Sequence, residues 1–165
     1  GTNINYPIVQ GGDDQFYLKH DYLGRSSSAG SIMLAHNAKP DFSDINMVVY
    51  GHSMKNGTMF RDLRWFANRL GFAENHPVIW VLTPEKTFRC EVFSAYETYD
   101  MSESYTMFLV RNDAWRDWLE AARGRSVFES DVDLDPSACY IMFSTCVNAS
   151  GPARYVVPAK MVEVG

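Results

Sequence analysis

A cysteine, a histidine and an arginine each stand where an apolar run ends or begins. Cys146 closes Ile141-Met142-Phe143-Ser144-Thr145, His52 follows Val48-Val49-Tyr50-Gly51, and Arg154 leads into Tyr155-Val156-Val157. A thiolate is a nucleophile, an imidazole moves protons near neutral pH, and a guanidinium is a cation that never titrates there. Three such groups at strand ends suggest one site built from three segments. In it Arg154 would hold a substrate carbonyl or stabilise a developing oxyanion.

Side-chain alternation refines the reading. In a strand, Tyr140, Met142, Ser144 and Cys146 share one face, while Ile141, Phe143 and Thr145 share the other. The second set is the more apolar and suits a core, which turns Cys146 outward beside Ser144. On residue pattern alone, Cys146 reads more readily as a plain strand-end cysteine. His36 is the one rival to His52, and Arg154 reads equally as a surface ion-pair partner. With ordinary pKa values of about 8.5 and 6.5, a thiolate–imidazolium pair amounts to only about 1% of the neutral pair. Arg154, eight positions after Cys146 across a short loop, is expected to favour the thiolate and to bind substrate.

The elements that position these residues are mostly strands. Ile4–Val9, Ser31–Ala35, Met47–Tyr50, Val78–Leu82, Thr87–Tyr96, Cys139–Thr145 and Arg154–Val164 have strand character. Pro7 marks the first as an edge strand, and Pro158 is expected to break the last. Val78–Leu82 and Thr87–Tyr96 read as a hairpin across Pro84-Glu85-Lys86. Thr98–Thr106 reads as a polar loop. Helical spacing of apolar residues predicts helices at Thr58–Leu70, with Thr58 as cap and Gly71 as stop, and at Asn112–Arg123. Trp115, Trp118, Leu119 and Ala122 form the buried stripe of the second. No β-α-β rhythm and no linker is visible, so residues 1–165 are expected to form one mostly β domain, a sheet or barrel with helices inserted in its connections.

Composition narrows the function. A net charge of −5 argues against non-specific binding to nucleic acid or an anionic membrane. No apolar run approaches the roughly 20 residues of a membrane span. Three cysteines make neither a disulfide framework nor a zinc knuckle. Cys90 and Cys139 read as strand or core residues, and a bond between them stays open. The chain starts at Gly1-Thr2-Asn3-Ile4 without Met, which reads as a domain cut from a longer protein.

The triple also resembles a known site. Gly51-His52, Ser144-Thr145-Cys146 and Arg154 before an apolar strand are similar to the active site of the sortases. Further stretches resemble class B sortases: Ile4-Asn5-Tyr6-Pro7-Ile8-Val9-Gln10, Gly30-Ser31-Ile32, Asp41-Phe42-Ser43-Asp44, the run Val49 to Phe60, and Thr83-Pro84-Glu85-Lys86-Thr87. The helix at Asn112–Arg123, between the hairpin and the Cys strand, matches the insertion that marks class B.

The resemblance implies a closed eight-stranded β-barrel and a cysteine transpeptidase on the outer face of a Gram-positive cytoplasmic membrane. Its N-terminal helix and membrane anchor would lie outside this chain. Such an enzyme cuts a C-terminal sorting signal of a secreted protein, holds the new carboxyl end as a thioester, and passes it to an amine of a cell-wall precursor or of a pilin. By similarity Cys146 is the nucleophile, His52 the general acid and Arg154 the oxyanion and positioning residue, helped by a backbone N–H near Cys146. Ser144 and Thr145 would line the site, and Ser104 and Tyr105 would contact the sorting peptide. No cofactor and no metal is called for. Asn148 departs from the acidic residue that some class B members carry two positions after the cysteine. The alternatives are a pilin-polymerising enzyme and a catalytically silent peptide-binding barrel. A papain-like hydrolase fits poorly because its cysteine begins a helix, and a zinc site of His36, His52 and Cys146 lacks ligand spacing.

Overall fold

The computed structural model describes residues 1–148 and 151–165. Eight strands form one sheet: β1 (Ile8–Val9), β2 (Ile32–Leu34), β3 (Asn46–Tyr50), β4 (Val78–Leu82), β5 (Thr87–Val92), β6 (Tyr96–Tyr99), β7 (Cys139–Cys146) and β8 (Ala153–Glu163). Their order is β1-β2-β3-β7-β8-β5-β4, with β6 also paired to β8. Neighbours pair antiparallel except β1 with β2 and β3 with β7, which are parallel.

The sheet curls into a barrel, but its hydrogen-bonded ladder does not close. Among the described residues β1 and β4 are its two ends. Between them lies a cavity of about 1050 Å³, bordered by Ile4, Tyr6 and Ile8 on one side and Val78–Leu82 on the other. The expected closed ring is therefore an open one. The N-terminal edge strand is also shorter than expected: only Ile8 and Val9, just past Pro7, enter the ladder.

Both faces of the central strands are buried, for different reasons. Phe143 packs edge-on against Phe60 on the inner face. On the outer face Tyr140 packs against Trp115, and the Asn46 amide spans the Thr106 carbonyl and the Phe108 N–H. That outer cover is α3 (Asp113–Gly124) with the segment before it. Asn112 caps α3 by accepting from the Trp115 N–H, and Trp115, Trp118, Leu119 and Ala122 form its buried stripe, as the spacing predicts.

The other predicted helix is broken up. Arg61–Arg64 is a 3₁₀ turn running into α1 (Trp65–Asn68), and α2 (Phe72–Asn75) follows. Thr58 caps nothing. Its hydroxyl bonds to Asn56, and Met59 has a φ of 60°, so the chain is still turning there. Gly71 ends the segment as expected, at a φ of 71° that favours glycine.

Pro158 does not break β8. β8 pairs with β6 over Ala153–Val156 and with β5 over Ala159–Glu163, so Pro158 sits between the two stretches. Its carbonyl accepts from Phe93 on that same edge, in the crossing from β5 to β6. An antiparallel residue points its N–H and C=O the same way, so the missing N–H falls where no ladder bond is required. The three cysteines are free. Cys90 and Cys139 are both in register with Met161, one strand to either side of β8. Two strand spacings separate their Cα atoms by about 10 Å, beyond the roughly 7 Å a disulfide spans.

Candidate active site

Strand register brings the three sequence-predicted residues together. β3 and β7 run parallel, with Tyr50 opposite Ser144. His52 and Cys146 each lie two residues further on, so they leave the sheet side by side on one face. β7 and β8 run antiparallel, with Cys146 directly opposite Arg154. Such partners have Cβ atoms about 4.5–5.5 Å apart. Gly51 makes the His52 exit feasible. A Cβ there would meet Ile32 Cδ1 at 2.4 Å and Phe60 Cγ at 2.8 Å, so close packing rather than backbone conformation demands the glycine.

His52 is oriented from a distant segment. Its Nε2 lies 2.8 Å from the carbonyl of Leu18, the last residue of the 3₁₀ turn Phe16–Leu18. A carbonyl only accepts, so Nε2 carries the proton in the neutral ring. That leaves Nδ1 as the ring nitrogen free to take a proton from the thiol. The Cys146 thiol pKa is lowered, first by hydrogen bonding with His52; burial opposes this, and the Arg154 charge adds to it. The His52 pKa is raised, first by the same interaction with Cys146, with burial opposing and the Leu18 carbonyl assisting. Each shift widens the pH range in which thiolate and imidazolium coexist. His52, not Arg154, is the main influence on the thiol. By contrast, burial pushes the Cys90 thiol up to about 12, which leaves it unreactive.

Arg154 is held by its own turn and by Asp100, the residue after β6. Its Nη1 donates to the carbonyls of Gly151 (2.8 Å) and Ala153 (3.1 Å), and its Nη2 donates to Asp100 Oδ2 at 3.0 Å. The Asp100 N–H in turn donates to the Pro152 carbonyl. Asp100 raises the Cys146 pKa slightly, against Arg154. The Val147 N–H, next to the thiol, is committed to the Ala153 carbonyl. Ala149 and Ser150 of the Cys-to-Arg loop lie outside the described residues.

The other candidates sit beneath the surface. Ser144 is 1% exposed and its hydroxyl lies 2.7 Å from that of Tyr105, whose ring stacks on Tyr50. Tyr105 is half-buried over this pair, and burial raises its phenol pKa. Ser104 is also 1% exposed, bonded to Tyr96 at 3.0 Å. Thr145 faces the barrel interior, where its hydroxyl has no partner among the described residues. His36 lies elsewhere, paired with Asp14 at 3.0 Å. Leu18 and Asp100 were invisible to sequence reasoning. Leu18 acts through a backbone carbonyl, which every residue has, and Asp100 stands in what reads as a polar loop.

Comparison with known proteins gives the family. A family model described as the sortase domain matches residues 1–162. The chain belongs to the sortase family. Sortase B of Listeria monocytogenes is 34% identical over 98% of this chain, and sortase B of Staphylococcus aureus is 30% identical over 99%. The chain spans 66% and 68% of the length of those two relatives. Its fold superposes on a Staphylococcus aureus sortase B–substrate complex with a TM-score of 0.92 at 29% identity, covering 100% of this chain and 77% of that one. Clostridium perfringens sortase B gives 0.89 at 31%, covering 98% and 89%. These relatives put the chain in the class B branch of the family. The mostly β barrel with a helix before the Cys strand is the class B sortase fold.

Proposed function

We propose that residues 1–165 are the catalytic domain of a transpeptidase that joins a secreted protein to an amine of the cell wall at the outer face of the cytoplasmic membrane. The supporting observation is the double register that sets Cys146 beside His52 on β3 and opposite Arg154 on β8. Among the described residues no helix is long and apolar enough to cross a membrane.

The Cys146 thiolate attacks the scissile carbonyl of the sorting peptide, forming a C–S bond, while Arg154 faces the oxyanion. The peptide C–N bond then breaks and the His52 imidazolium gives its proton to the leaving amine, leaving a thioester and a neutral ring. The acceptor amine next attacks the thioester. A C–N bond forms, the C–S bond breaks, and His52 takes the amine proton, which restores the thiolate–imidazolium pair. Tyr105 is the peptide-facing wall, held from below by Ser144, while Ser104, bonded to Tyr96, fixes the loop behind it.

The test is intact-protein mass spectrometry after mixing with a panel of sorting peptides without acceptor. The expected result is a mass gain equal to the N-terminal fragment, mapped to Cys146, absent in Cys146→Ala and retained in Cys90→Ala and Cys139→Ala. Transpeptidation by Cys146→Ala overturns the assignment. Adding wall-type amines or a lysine side chain as acceptors then separates wall anchoring from pilin joining.

A further inference from the structure

A second polar pocket, of about 240 Å³, lies against the two segments that carry the histidine and the cysteine. It is lined by Arg61, Arg64, Trp65, Asn68 and Arg69. Arg61, Arg64, Trp65 and Asn68 fall at i, i+3, i+4 and i+7, so the helical turn shows them on one face. Arg61 Nη1 donates to the hydroxyl of Ser53, the residue after His52, at 3.3 Å. Arg64 Nη1 donates to the carbonyl of Val147, the residue after Cys146, at 3.2 Å. The Arg69 guanidinium carbon lies over the Trp65 ring, 3.2 Å from its centroid.

None of these three arginines has an ion-pair partner among the described residues, whereas Arg25, Arg89, Arg116, Arg125 and Arg154 each face a carboxylate. A chain with a net charge of −5 thus gathers three uncompensated guanidiniums in one pocket, one of them bonded to the residue that follows its thiol. Each carries five donors in a planar fork, of which Arg61 and Arg64 each use one on the neighbouring segments. Such forks match the oxygens of a carboxylate or a phosphate.

We infer that this pocket binds an oxyanion, carboxylate or phosphate, carried by the amine acceptor of the transpeptidation reaction. The inference rests on the transpeptidase reading for its acceptor half only. Docking the anion there sets the amine beside the Cys146 thioester. The surrounding positive charge also favours the neutral, nucleophilic form of that amine.

The test uses two arms. In the first, inorganic pyrophosphate and acetate are titrated separately into the Cys146→Ala protein and its Arg64→Gln/Arg69→Gln derivative, following Trp fluorescence and heat of binding. Expected is saturable binding of one or both anions, weakened about tenfold or more by loss of two charged donors; which anion binds names the phosphate or carboxylate source. No saturable binding, or equal affinity in the derivative, overturns the site. In the second arm, the active protein is given sorting peptide and amine acceptor with the bound anion present. The apparent KM for acceptor should rise, while the acyl-enzyme forms at its usual rate. An unchanged acceptor KM overturns the acceptor role. Failure of every peptide to acylate the protein, with anion binding intact, counts against the transpeptidase reading and leaves the oxyanion pocket standing.

Discussion

At the scale of single residues, the reactivity of Cys146 is a balance of three neighbours with different signs. His52 depresses the thiol pKa most, Arg154 less, and Asp100 works against both. Alkylation rate against pH, in a Cys139→Ala background, reads this balance directly. His52→Ala should move the midpoint up toward the ordinary thiol value of about 8.5. Arg154→Ala should move it up by less, and Asp100→Asn should move it down. A larger shift from Arg154→Ala than from His52→Ala would reverse the ranking. That Cys146, His52 and Arg154 come together was legible in the sequence because each stands where an apolar run ends or begins. Their order of influence was not, because it depends on contact geometry and burial.

At the scale of elements, the sequence was legible where one local rule acted alone. α3 carries its own cap and its own stripe, and the stripe appears where the spacing puts it. Asn112→Ala should cost about 1 kcal/mol, seen in urea denaturation. The Thr58–Leu70 stretch went wrong because its apolar spacing continues through a turn that Met59 and Gly57 hold at positive φ. β6 was missed as a strand because four residues with two exposed members have little pattern; β8 supplies the partner that makes them one. Gly51 shows how an element end controls chemistry. Gly51→Ala overpacks Ile32 and Phe60 and should cost about 1–3 kcal/mol. It should also raise the midpoint of Cys146 alkylation, because His52 is displaced from the thiol. A destabilised protein with an unchanged profile would limit the role of Gly51 to packing.

At the scale of the whole molecule, β8 is the strand on which the sheet depends. It pairs with β7 along one edge and with β6 and β5 along the other. Sequence reasoning found the strand but not this role, because pairing between residues far apart in the chain leaves no local signature. The open seam between β1 and β4 was equally illegible, since the resemblance implied a ring. Deleting residues 159–165 removes the whole of the stretch that holds β5, and circular dichroism with urea should show loss of a single cooperative transition. β8 is also the last of the eight strands to be synthesised. A nascent chain still held before Ala153 carries Cys146 without the strand that puts Arg154 opposite it and Asp100 beyond. The nucleophile therefore meets its cation only when translation has passed every other strand. A ribosome-arrested series should gain selective, low-pH alkylation of Cys146 in one late step rather than gradually.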